Sequence, residues 1–128
     1  MEKVVINGAQ VSSGHYSAGI ISKGWLFISG QLPVDPWTGE RCTGDIREQT
    51  ARVLENIRLI LTSSRSSLEQ VVKMTIFIAD YSLWAEVDQV YAEYFGQHKP
   101  ARIVIASGPL FDGALIEAEA IAEVGGPA

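Results

Sequence analysis

The C-terminal third of the chain carries the residue types best suited to chemistry on a small acid. Arg102 precedes four apolar residues, 103–106, in a predicted strand. A guanidinium at this position either snorkels to water or presents two parallel N–H donors to a carboxylate. Glu117 and Glu119 lie in the next predicted strand, where a carboxylate can act as a general acid or base. These residues indicate a cleft for a carboxylate ligand, but they do not identify the reaction.

The last predicted strand has two different faces, because side chains alternate across a strand. One face is small and apolar, which suits packing under helices: Ile116, Ala118, Ala120, Ala122 and Val124. The other face mixes carboxylates with large aliphatic residues: Leu115, Glu117, Glu119, Ile121 and Glu123. The mixed face is either an exposed surface with ordinary glutamates, or a face that a neighbouring subunit partly covers and that partly lines a polar cleft.

Other catalytic and metal-binding signatures are absent from the sequence. It contains no G-x-S-x-G, phosphate loop, C-x-x-C or H-E-x-x-H motif. His15 and His98 are far apart and have no nearby metal-ligand partner, so we expect no metal site. A hydrolase built from Ser29 and His15 has no further support. Tyr16 is expected in the core or in the wall of a cleft.

Length and composition place the chain among ordinary globular proteins. Its 128 residues are 47% hydrophobic and 20% charged, with a net charge of −5, which predicts one domain over residues 1–128. Apolar runs such as 25–28 are far shorter than the roughly 20 residues of a membrane span, so we expect no membrane partner. The single cysteine, Cys42, excludes an internal disulfide and favours a cytoplasmic location. The acidic balance argues against nucleic acid binding.

The predicted elements follow the order β-β-β-α-β-α-β-β. Asp45 begins the first helix, with Glu48 three places on as in a capping box, and Asp80 or Ser82 caps the second, which ends at Gly96. The strands are predicted at residues 4–6, 17–21, 25–29, 71–79, 102–106 and 114–124. Two helices cannot cover both faces of a six-stranded sheet, so we predict an α+β two-layer sandwich with both helices on one face. The second face must meet water or another chain.

Several segments resemble the RidA family, also called YjgF or L-PSP. The similarity lies in ISGQLP at 28–33, in DIREQT and VLEN within 45–56, in VYAEYF at 90–95, in PAR at 100–102, and in GALIEAEAIA at 113–122. The resemblance covers nearly the whole chain in the right order and spacing. It implies a homotrimer of chorismate-mutase-like subunits, with the sheets facing inward and three clefts between the subunits.

Family resemblance also implies an activity and a set of site residues. Members of this type hydrolyse reactive enamines and imines, such as 2-aminoacrylate or 2-iminopropanoate, to a 2-keto acid and ammonia without a cofactor or metal. By position, Arg102 would bind the substrate carboxylate and Glu117 would position or activate the attacking water. Main-chain groups around Gly30 and Val104 would hold the substrate, and Ser29 and Tyr16 would line the cleft. An apolar wall would raise the pKa of Glu117, whereas a neighbouring arginine would oppose that change.

The chain departs from the family pattern at three places. His15 replaces a common proline, Asp88 replaces a frequent asparagine, and Ile103-Val104 replaces a small polar residue and a cysteine. If Asp88 faces the cleft, its charge would disfavour anionic substrates. A hydrolase for another imine or amide and a non-catalytic trimer that binds small carboxylates therefore stay open as alternatives. Endoribonuclease activity is the alternative that the acidic composition favours least.

Overall fold

Six strands form one mixed sheet in the computed structural model, which describes residues 1–9 and 14–125. The strands are β1 (Glu2–Val4), β2 (Gly19–Ser22), β3 (Trp25–Gln31), β4 (Val71–Ile78), β5 (Ala101–Ala106) and β6 (Ile116–Glu123). Their order across the sheet is β1-β2-β3-β6-β4-β5. The β4–β5 pair is parallel, and the other pairs are antiparallel. The predicted domain of residues 1–128 includes 10–13 and 126–128, which lie outside the described residues.

Two helices lie on one face of this sheet, as predicted for a two-layer α+β protein. Helix α1 (Ile46–Ser63) begins after Asp45, whose Oδ1 accepts a hydrogen bond from the Glu48 backbone N–H at 2.9 Å. Helix α2 (Trp84–Phe95) ends at Gly96, which has a φ of 61° that suits glycine. Asp80 caps a short 3₁₀ turn, Tyr81–Leu83, that leads into α2, so its capping role is one turn earlier than predicted.

The core lies between the helices and the sheet face beneath them. Residues 116, 118, 120 and 122 of β6 are buried there, which confirms the predicted small apolar face of this strand. Ile57, Ile60 and Leu61 of α1 are completely buried against it. Each such aliphatic side chain contributes roughly 1.5–3 kcal/mol of transfer free energy. The apolar stripe of α1 and the small apolar face of β6 therefore pack against each other in the same core layer.

The predicted hairpin joins the second and third strands, whereas the first strand begins earlier than predicted. Lys23 and Gly24 connect β2 to β3 with φ values of 53° and 84°, as the tight hairpin turn requires. Strand β1 was predicted at residues 4–6, but it covers Glu2–Val4. This prediction was wrong because the partner strand β2 begins at Gly19, which pairs with Val4 and leaves Val5 and Ile6 without a ladder partner.

The sheet face opposite the helices carries large apolar side chains. Trp25, Phe27 and Ile103 are 40%, 46% and 49% exposed on this face. Phe27 lies between Leu26 and Ile28, which are buried on the helix side, and β-strand alternation places it outward. We call this face the outer face.

Candidate functional site

An open groove of about 590 Å³ joins β3 and β6 and contains four of the predicted site residues. Tyr16, Ser29, Gly30 and Glu117 line it, together with Gly14, Leu32, Phe111 and Glu119. We call this groove the Glu117 half-site. The sequence left open whether Glu117 or Glu119 lines a cleft, and the structure places both in the same groove.

A β-bulge in β3 shapes the floor of the groove. Ile28 pairs with Ala120 whereas Gln31 pairs with Ala118, so β3 has one extra residue around Ser29 and Gly30. The Ser29 hydroxyl donates to the Ser17 carbonyl at 2.6 Å, and the Gln31 side-chain amide donates to the Ser29 carbonyl at 3.0 Å. Both bonds lie at the bulge and tie Ser29 to Ser17 and to Gln31.

Gly30 gives Glu117 the space that its carboxylate occupies. A Cβ atom at position 30 would overlap with Oε2 of Glu117 and would lie 3.2 Å from its Cδ. The absence of a side chain therefore allows the carboxylate to lie directly against the β3 backbone. This is a steric requirement, since Gly30 is not among the glycines with positive φ.

The environment of Glu117 favours its protonated form. Partial burial raises the pKa of the Glu117 carboxyl group above its ordinary value, and the negative charge of Glu119 raises it further. Glu119 and Glu117 are two residues apart on the same face of β6, opposite Thr75 and Phe77 of β4. A carboxyl group with a raised pKa can exchange protons nearer neutral pH, as general acid–base chemistry requires.

Arg102 and Asp88 form a second group of predicted site residues beside α2. Arg102 Nη1 lies 2.7 Å from Asp88 Oδ1, and the guanidinium carbon lies 4.8 Å from the Tyr91 ring centroid and 5.7 Å from that of Trp84. Trp84, Asp88 and Tyr91 occupy positions i, i+4 and i+7 of α2, which share one helix face. We call this group the Arg102 half-site. Burial raises the pKa of Tyr91 to about 12.

Strand β5 leaves main-chain groups free beside Arg102. It is the last strand of the sheet order, so within the described residues only β4 pairs with it. The Ser107 N–H donates to the Ile78 carbonyl of β4 at 2.9 Å. Because main-chain groups alternate in direction along a strand, those of Val104 point to the open edge. They are available to a ligand bound at Arg102.

The structure does not bring the two half-sites together within one chain. Arg102 pairs with Met74, which is completely buried beneath the helices, and its side chain contacts α2. Glu117 precedes the buried Ala118, so strand alternation places Glu117 on the outer face. The predicted site residues therefore form two separate groups on opposite faces of the sheet.

Two buried polar residues of α1 position segments that border the groove, and their roles were not predicted. Gln49 accepts from the Leu115 N–H at 2.9 Å, just before β6, and donates to the Gly44 carbonyl. Asn56 donates to the carbonyls of Leu32 and Val34 at 3.2 and 2.8 Å. A polar residue within the apolar stripe of a helix was the only available sequence signal for either role.

The Phe111 loop borders both the groove and a smaller cavity of about 280 Å³. Phe111 is 75% exposed, and Asp112 has a φ of 57°. Arg41 holds this loop through the Asp112 carbonyl and carboxylate. The sequence predicted a turn-rich loop here but did not assign Phe111 to the site.

The described residues contain neither a metal-binding cluster nor a membrane-spanning helix. In residues 1–9 and 14–125, no three histidine, cysteine or acidic side chains gather in a group that could hold a metal ion. No helix in the same part of the chain has the length and apolarity that crossing a bilayer would need.

The chain is a two-layer α+β protein with a guanidinium at one sheet edge and a groove with two carboxylates on the outer face. Comparison with known proteins identifies the family that has this fold. A sequence model of the family described as Endoribonuclease L-PSP matches residues 7–124. A RutC family protein of Pyrococcus horikoshii is 46% identical over 121 residues, which are 94% of this chain and 96% of that protein.

Solved structures give the same result. A putative endoribonuclease of Thermotoga maritima superimposes with a TM-score of 0.92 at 41% identity, over 98% of this chain and 99% of the other. TdcF of E. coli with bound serine superimposes with a TM-score of 0.86 at 32% identity, over 98% and 100%. The chain therefore belongs to the RidA/YjgF/L-PSP family, as its sequence motifs indicated.

Proposed function

We propose that this protein hydrolyses reactive enamines and imines of the 2-aminoacrylate and 2-iminopropanoate type to 2-keto acids and ammonia. The observation that carries this proposal is the guanidinium of Arg102. It is held by α2 but uses only Nη1 in its ion pair, so its Nε–Nη2 edge has no protein partner among the described residues. Such an edge matches the two oxygens of a carboxylate. The bound serine of the family member TdcF, itself a small carboxylate, supports a ligand of this class.

The complete site would require a second copy of the chain. Arg102 and Glu117 lie on opposite faces of one sheet, so a substrate bound at one cannot reach the other in the same protomer. We propose a homotrimer in which the Arg102 half-site of one protomer faces the Glu117 half-site of its neighbour. The exposed Trp25, Phe27 and Ile103 on the outer face support this assembly, because large apolar side chains on one exposed face favour its burial against another chain.

The proposed reaction needs binding, orientation and one proton relay. Arg102 holds the substrate carboxylate, which places the electrophilic iminium carbon in the cleft. Glu117 accepts a proton from water as the water oxygen bonds to that carbon, and the C=N bond becomes a C–N bond. Glu117 then protonates the amine and ammonia leaves, and the regenerated Glu117 carboxylate accepts the hydroxyl proton as the C=O bond forms. An enamine first takes a proton from water at its terminal carbon to become the iminium ion.

The direct test follows disappearance of 2-aminoacrylate that a second enzyme generates in the assay. The wild-type protein should accelerate it, and Arg102→Ala should lower kcat/KM by at least about 100-fold, because two charge-assisted hydrogen bonds are lost. Arg47→Ala is the matched control, since Arg47 also contacts α2, through Gln89 and Glu93, away from both half-sites. No acceleration by wild type, or full activity in Arg102→Ala, contradicts the proposal.

Mixed oligomers test the shared site separately. Arg102→Ala and Glu117→Gln chains are each expected to be inactive alone. When they are unfolded together and refolded, about one quarter of the clefts should combine an intact Arg102 with an intact Glu117, if each cleft takes one residue from each protomer. Recovery of activity to that level supports the assembly, whereas a mixture as inactive as its components contradicts it.

Endoribonuclease activity is a second candidate because the matching family model carries that description. The net charge of −5 and the two carboxylates of the groove disfavour phosphate binding. RNA cleavage that co-purifies with the protein and is lost in Glu117→Ala would favour this candidate over imine hydrolysis. Saturable 2-keto acid binding without turnover of any imine would instead favour a non-catalytic binding trimer.

A further inference from the structure

Asp88 places its carboxylate directly beside the guanidinium proposed to bind substrate. Its Oδ1 lies 2.7 Å from Arg102 Nη1, with the two side chains 43% and 22% exposed. The pair is monodentate on the arginine side, because Nη1 is the only guanidinium nitrogen that donates to Asp88. Arg102 therefore remains able to bind a carboxylate, but its positive charge is already balanced.

The surroundings hold this ion pair in place. The guanidinium lies over the Tyr91 and Trp84 rings, which come from the same helix face as Asp88. Among the described residues, no second lysine or arginine pairs with Asp88. A ligand at the Nε–Nη2 edge would thus find one cation, one fixed anion beside it and two aromatic rings.

We infer that Asp88 determines specificity by restricting the site to substrates with a single carboxylate. This inference rests on the proposed function. One carboxylate of the ligand can take the free edge of Arg102, but the described residues that contact Arg102 offer no second cation to another carboxylate. It would face Asp88 and, in the proposed assembly, Glu117 and Glu119 of the neighbouring protomer. Like charges in a partly buried cleft repel each other and so weaken binding.

The substitution Asp88→Asn isolates the charge from the geometry. Asparagine keeps a side-chain oxygen that can accept from Nη1, while it removes the negative charge. Glu86→Gln is the matched control, because Glu86 is an exposed acid on the same helix and its substitution changes the net charge equally. Circular dichroism and thermal unfolding establish that each variant is folded.

The experiment measures calorimetric binding of two ligands of similar length, 2-oxohexanoate with one carboxylate and 2-oxoglutarate with two. Wild type should prefer 2-oxohexanoate. Asp88→Asn should tighten 2-oxoglutarate binding by about tenfold and change 2-oxohexanoate binding by less than about threefold, as removal of one nearby like charge predicts. Glu86→Gln should leave the ratio unchanged. Added salt should narrow the wild-type preference, because it screens the repulsion.

The inference is overturned if Asp88→Asn changes both affinities equally, if Glu86→Gln reproduces its effect, or if neither ligand binds wild type or Asp88→Asn. Turnover of 2-aminoacrylate, measured on the same samples, separates the two proposals. A changed ligand ratio without turnover leaves charge selection standing and contradicts imine hydrolysis. Turnover with an unchanged ratio of the two ligand affinities supports imine hydrolysis and contradicts charge selection by Asp88.

Discussion

The two half-sites differ in how their charges are satisfied. In the Arg102 half-site, the cation has a carboxylate partner and two aromatic rings, all from α2. In the Glu117 half-site, two carboxylates share one groove and no salt bridge reaches either within the described residues. The cation of the Arg102 half-site is therefore paired within the chain, whereas the carboxylates of the Glu117 half-site are not paired with a cation among the described residues. A positively charged neighbour or ligand would therefore stabilise the Glu117 half-site.

The largest expected effect on activity comes from removing the Glu117 carboxylate. Glu117→Gln should lower kcat/KM for 2-aminoacrylate by about 10²–10⁴-fold, the usual contribution of a general acid–base group. Binding of a 2-keto acid, measured by calorimetry, should change by only a few fold, since Arg102 remains.

Glu123→Gln serves as its control, because Glu123 lies on the same face of β6 six residues away. A Glu117→Gln protein that retains most of its activity would move the catalytic role to Glu119 or to the main chain.

A methyl group at position 30 should displace the Glu117 carboxylate without removing it. Gly30→Ala is expected to lower kcat/KM by roughly tenfold, because misplacement of a catalytic group is costly. Gly44→Ala provides a matched comparison, since a Cβ there would also meet a carboxylate, that of Glu48, away from both half-sites. Equal activity losses in the two variants would mean that Gly30 acts through general stability, which thermal unfolding can measure.

Removing the second carboxylate of the groove should change the pH profile more than the maximal rate. Glu119 raises the pKa of Glu117, so Glu119→Gln should lower that pKa. If water activation needs ionised Glu117, the acid limb of the kcat/KM profile should move to lower pH. Activity on this limb should then rise at fixed pH. A limb that moves to higher pH, or does not move, would contradict the assignment.

The smallest effect is expected at Tyr91 of the Arg102 half-site, and it concerns the free energy of unfolding. The Tyr91 hydroxyl is buried and has no hydrogen-bond partner in the described residues, whereas its ring contacts Arg102. Tyr91→Phe keeps the ring, so it should change the free energy of unfolding by no more than about 1 kcal/mol, in either direction. Urea unfolding measures this change. A larger loss would reveal that the hydroxyl gains a partner in the assembled protein.

The sequence predicted the layers well because they depend on local periodicity. The alternation in residues 116–123 and the apolar stripe of α1 each specify which side is buried, and the structure agrees. The Asp45 cap and the Gly96 end also depend on neighbours within a few residues. The first strand was misplaced because its extent depends on a partner at Gly19, distant in the sequence.

Side-chain chemistry and short-range repeats in the sequence were enough to predict an α+β fold, its order of elements and the residue types of the candidate site. Which of those residues meet follows only from the tertiary structure. The parallel register of β4 and β5 places Arg102 under α2 beside Asp88, fourteen residues earlier in the chain. The bulge in β3 places Gly30 against Glu117, and the pleat of β6 turns Glu117 to the opposite face. Long-range pairing sets these positions, and no local pattern encodes it.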